Sequence, residues 1–131
     1  MRLGARFGWF LVAGCAGFAV DAAVLTGLVW LGAEPRLARL ASFAIAMIAT
    51  WLINRRRAFG DRAGPPSLRE FAQYAAASML GALVNLAIFM ALVTWGEPFR
   101  SWPVAALTLA TGVSLFINFW SYLKVVFAPR A

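Results

Sequence analysis

Apolar residues gather into four long runs, about Phe7–Gly32, Ala38–Asn54, Phe71–Trp95 and Val104–Phe127, with short connections between them. The first and third supply the ~20 apolar residues that a helix needs to cross the hydrocarbon of a bilayer. The second is apolar without interruption only from Leu40 to Ile53, but Glu34, Pro35 and Arg36 mark one interface and Arg55, Arg56 and Arg57 the other. This pattern predicts an all-α integral membrane protein, a single transmembrane domain of four helices. The long polar stretch "RRRAFGDRAGPPSLRE" holds Pro65-Pro66, which stops one helix. Ser67 and Glu70 have the spacing of a capping box that opens a short surface helix leading into the third span.

The chain also matches itself. A constant offset of 64 pairs Phe7 with Phe71, Gly17 with Gly81, Asp21 with Asn85, Arg36 with Arg100, and Ile53-Asn54 with Ile117-Asn118. Superposition of rare intramembrane polar residues is stronger evidence than matches among common apolar ones. The expected architecture is two parallel helical-hairpin repeats, one over about 7–57 and one over about 71–127, joined by a cytoplasmic linker over about 58–70. Parallel repeats imply a pseudo-twofold axis along the membrane normal.

Charge sets the orientation. Of the twelve Lys and Arg residues, Arg36, Arg39 and Arg100 fall on one side and Arg2, Arg6, Arg55, Arg56, Arg57, Arg62, Arg69, Lys124 and Arg130 on the other. The positive-inside rule then places both termini in the cytoplasm. Trp9, Trp51 and Trp120 fall near the inner interface and Trp30, Trp95 and Trp102 near the outer one, as aromatic belts require. The net charge of +7 is assigned to orientation and to anionic phospholipids, not to nucleic acid. Arg2 and Arg6 ahead of "FLVAGC" have the look of a lipoprotein signal, but the apolar stretch runs on past Cys15 to Gly32, so a retained helix is expected.

No histidine is present, and no paired intramembrane acids, nucleophile beside a base, or phosphate-cradling glycine loop is evident. The expectation is therefore a non-enzyme without metal or cofactor. The candidate substrate-binding residues are Asp21, Asn54, Arg55, Arg56, Asn85, Asn118 and Lys124. Asp21 falls near the midplane, where a lipid-facing charge costs about 2.5–3.5 kcal/mol, so it should face the bundle beside Asn85. That contact serves either as an interhelical hydrogen bond or as a polar step for a substrate. Asn54 and Asn118 fall at the inner ends of the second and fourth helices, where an amide caps a helix, bridges the two halves or meets a phosphate oxygen. Arg55–Arg57 are topology anchors or, as guanidinium forks, ligands for a lipid phosphate.

Four spans in so short a chain, with "VD" in the first, "NRRRAF" closing the second, an asparagine in the third and "NFWSYLKVVF" closing the fourth, resemble the GtrA-like family of small membrane proteins. The resemblance runs from Phe7 to Phe127. This chain departs from the family's usual aromatic-threonine pair before the first motif's phenylalanine, having Arg57 and Ala58 there. The resemblance implies translocation of a polyprenyl-phosphate-linked sugar across the inner membrane for polysaccharide glycosylation, with a membrane glycosyltransferase as partner and a homo-oligomer as a further expectation. Asp21, Asn54, Arg55, Asn85 and Asn118 match the family pattern. A non-transporting scaffold for the glycosyltransferase is the alternative, and a small proton-coupled drug exchanger is disfavoured by the inside charge bias and the parallel repeat.

The charge distribution predicts that cysteines replacing Glu34 and Glu97 react with a membrane-impermeant maleimide in intact cells. Labelling of either only after permeabilisation reverses the orientation.

Overall fold

The computed structural model describes residues 1–129, and among these it contains only helices and their connections. Arg130, assigned above to the inner side, lies outside the described residues. The chain divides into two compact units, Met1–Ser67 and Leu68–Pro129. The first is a hairpin of α1 (Leu3–Trp30) and α2 (Pro35–Ile53), and α2 runs on into a π-helical turn, Asn54–Ala58. The second repeats the plan with α3 (Leu68–Trp95), α4 (Pro103–Ser121) and a π-helical turn at Tyr122–Val126.

All four helices are long and apolar enough to span a membrane once the π turns are counted with α2 and α4. At ~1.5 Å per residue, Leu3–Trp30 is about 42 Å long and Pro35–Ala58 about 36 Å. The short second segment therefore gains length at both ends. Pro35 starts α2 because a proline at the first helical position loses no hydrogen bond, and the Glu34 carboxylate caps it by accepting from Leu37 N–H at 3.0 Å. The expected surface helix after Ser67 is not separate: it is the first turn of the continuous 28-residue α3.

Within the first hairpin α1 ends at Trp30, and the chain turns away at Gly32, whose φ of +94° only glycine adopts without strain. Gly32 N–H and Ala33 N–H return to the carbonyls of Val29 and Leu28 at 3.0 and 2.9 Å, so the helix end is satisfied as the chain reverses. A second glycine, Gly17, lies directly against the facing helix. A Cβ on Gly17 would lie 2.1 Å from the Thr50 methyl carbon. In the second hairpin a Cβ on Gly81 would overlap the Asn118 amide. Small residues at such crossings let the helix backbones close on each other where no hydrophobic effect drives them together.

The buried positions refine the internal match. Arg6, Phe10 and Gly17 of α1 correspond to Glu70, Tyr74 and Gly81 of α3 at the offset of 64. In the second helices the buried residues Ala38, Ser42 and Ala46 correspond to Ala106, Ala110 and Ser114, at an offset of 68. The connection 96–102 is three residues longer than 31–34 and α3 runs one residue farther past Gly81 than α1 does past Gly17, which together make the difference of about one helical turn. The constant offset of 64 thus fails beyond the first helix of each hairpin. Thr50, not Asn54, is the positional counterpart of Asn118, and the counterpart of Asn54 is Tyr122.

Gly17→Ala should destabilise the protein by about 1–3 kcal/mol, because Thr50 is β-branched and stiff in a helix. Gly14→Ala, with nothing within 4 Å of its Cβ, should be neutral or stabilising. Thermal unfolding of the two variants in detergent checks the contrast.

Candidate functional site

The "NRRRAF" motif is a π-helical turn closed by the Phe59 N–H donating to the Asn54 carbonyl at 2.9 Å. Widening the helix by one residue per turn rotates its side chains out of α-helical register, a device often found at functional sites. Here Asn54 and Arg55 turn inward and are buried, while Arg56 and Arg57 stay exposed. The fully buried Phe59 plugs the end of the turn.

Two of these arginines are held on aromatic rings. The Arg55 guanidinium lies 5.5 Å from the Trp51 ring centre and its Nη2 donates to the Gly64 carbonyl; Arg57 lies 5.3 Å from the Trp9 ring. Each contact is a cation–π interaction between a charge and the ring's negative face. The buried Arg6 of α1 ties the same region together. It donates to the Ala58 carbonyl at 3.1 Å and, through both terminal nitrogens, to the Asp61 carboxylate at 2.7 and 2.5 Å. These bonds favour the ionised acid and lower the Asp61 carboxyl from 3.8 to about 2. Nothing in the sequence beyond its charge separates Arg6 from a topology anchor, because the fork needs a partner fifty-five positions away.

Farther along α1, Asp21 has a partner within its own hairpin that the sequence pattern did not pair with it. Nη1 of Arg39 donates to both oxygens of the Asp21 carboxylate, each at 2.5 Å. Arg39, counted above among the outer-side charges, therefore turns into the span to meet an acid. Equal distances from the Gly32 turn would have set Asp21 opposite a residue nearer Phe43; the long guanidinium arm makes up the difference.

In the second hairpin the Asn85 amide nitrogen lies 3.2 Å from both the Thr111 and Ser114 hydroxyls of α4. Asn118 lies within α4, one turn before its end, with its buried Oδ1 against Gly81 and no donor to it among the described residues. It is therefore a helix-crossing residue and not a cap. The place occupied by Asn54 in the first hairpin belongs here to Tyr122, whose hydroxyl lies 2.5 Å from that of Ser78 and whose ring stacks on Tyr74 at 4.4 Å. Lys124 is exposed on the π turn, 5.7 Å from the Trp120 ring. The structure thus brings Asn54, Arg55 and Arg56 together on one turn, and it sets Asp21, Asn85 and Asn118 at separate points along their own hairpins. Among the described residues no group of three His, Cys, Asp or Glu side chains is arranged to hold a metal.

Four apolar spans with a charged pair and amides inside them define a multi-pass membrane protein with a polar interior contact in each hairpin. The GtrA/DPMS transmembrane domain matches residues 9–127 of the 131, and the chain belongs to that family of small membrane proteins, linked to the handling of lipid-linked sugars. Comparison with individual curated proteins finds no match.

The Arg6–Asp61 pair contributes stability that is fully present above about pH 4 and is lost as pH falls through about 2, because the folded-state acid titrates below its unfolded value. Solvent screening of the half-exposed Asp61 keeps the effect to about 1 kcal/mol or less. Asp61→Asn should flatten the acid limb of a stability-versus-pH curve between pH 4 and 2.

Proposed function

We propose that the protein translocates a polyprenyl-phosphate-linked sugar across the cytoplasmic membrane for cell-surface polysaccharide glycosylation, with both termini cytoplasmic. The observation that carries this reading is the π turn at the end of α2, which sets an exposed Arg56 beside the buried Asn54 and Arg55. A phosphate needs charge-assisted donors at an interface, where guanidinium forks are stronger and more directional than an ammonium. The Trp51 ring beneath Arg55 holds that cation near the membrane surface. Exposed Lys124 on the second π turn and anionic phospholipids nearby add to the basic character of this side. The polar residues inside the spans, Asp21 and Asn85 among them, lower the cost of moving a sugar head group through hydrocarbon. The intended partner is the membrane glycosyltransferase that makes or uses the lipid-linked sugar.

Two substitutions separate binding from architecture. Arg56→Lys keeps the charge and touches no described partner of Arg56, so it should weaken binding of a short-chain polyprenyl phosphate about tenfold while leaving thermal stability unchanged. Arg55→Lys should lower both, because Arg55 also closes the loop through Gly64. Transport is read in reconstituted vesicles with a fluorescent polyprenyl-phosphate sugar. Binding without movement across the bilayer would favour the scaffold for a glycosyltransferase instead.

A further inference from the structure

The Asp21–Arg39 contact is one-sided. Nη1 serves both carboxylate oxygens, while Nη2 and Nε make no hydrogen bond to any described residue. A paired guanidinium usually presents two parallel N–H groups to its carboxylate, and Arg6 does so with Asp61. The Arg39 side chain is 53% exposed against 19% for Asp21, so the unused edge is the accessible part of the pair. Arg39 stands four residues into α2, about 6 Å along the axis from Pro35. Its Cβ points back toward the turn, from which a long basic side chain ordinarily snorkels to the interface. The guanidinium instead reaches the other way, to an acid about 14 Å from the end of α1.

We propose that the free edge of Arg39 is a second phosphate site on the first hairpin, in the half of α2 nearest its turn, and that it takes the lipid phosphate of a translocated substrate. The inference rests on the translocation reading and adds a station to it. A phosphate carried through hydrocarbon needs donors at more than one depth, and the π-turn arginines serve only the far end of α2. Asp21 makes the site reversible. It neutralises Arg39 when no phosphate is present, and it competes for the guanidinium when one is, so the ligand is held without being trapped.

The test uses the full chain in phosphatidylcholine nanodiscs, with farnesyl phosphate as the probe and stoichiometry read by calorimetry. Two sites per chain are expected in the native protein. The double variant D21N/R39Q, which leaves no stranded charge and retains hydrogen-bonding groups on both side chains, should keep one site. Asp21→Asn alone releases Nη1 and should tighten the Arg39 site about tenfold. Inorganic phosphate at the same concentration should not displace the probe. Two sites remaining in D21N/R39Q, or displacement by inorganic phosphate, overturns the lipid-phosphate site while the translocation reading stands. An Arg39-dependent site in a protein that moves no lipid across vesicles supports the site and overturns translocation. Absence of any bound farnesyl phosphate in the native protein overturns both.

Discussion

Hydrocarbon offers neither water nor counter-ions, so every polar group that enters it must find its partner inside the protein. The Asp21–Arg39 contact shows this constraint at its most demanding. An acid in the middle of α1 and a base inside the start of α2 are each costly alone, and together they form one nearly neutral group. The same rule governs Asn85, which is served by two hydroxyls from α4. Because such partners must lie within bonding distance, the helices have to run close together, and Gly17 and Gly81 are the positions at which they can.

The two hairpins share a plan and differ in chemistry. Each joins a 28-residue helix to a 19-residue helix that ends in a π turn plugged by a buried phenylalanine, Phe59 in one and Phe127 in the other. Around the first plug stand arginines, an asparagine and the Arg6–Asp61 clamp. Around the second stand two stacked tyrosines and a serine hydroxyl. The first arrangement leaves the cations Arg56 and Arg57 exposed. The second is largely buried and presents Lys124 as its exposed charge. A common scaffold thus carries an arginine-rich end on one hairpin and a packed aromatic end on the other.

Much of the fold was legible because transfer into hydrocarbon is an additive property of residues, and a run of apolar side chains carries it whatever the rest of the chain does. The weak second span illustrates the limit. Counting apolar residues stopped at Ile53, whereas the helix continues through Arg55 and Arg56 because a π turn satisfies the backbone while the side chains change face. The internal match was also partly readable. Its polar pairs, Asp21 with Asn85 and Asn54 with Asn118, looked equivalent at one offset, but a longer connection in the second hairpin moves α4 by a turn relative to that register.

The sequence by itself determined the class of the protein, its four spans, the family motifs and the grouping of Asn54, Arg55 and Arg56, all of which depend on neighbours along the chain. Only the tertiary structure decided that Arg39 answers Asp21, that Arg6 clamps Asp61, and that Asn118 lies against Gly81 instead of capping a helix. Those are contacts between residues distant in sequence, set by how far two helices are displaced along each other and by which way a long side chain bends. Displacements of a few ångströms leave the hydrophobic pattern unchanged and yet exchange one hydrogen-bond partner for another.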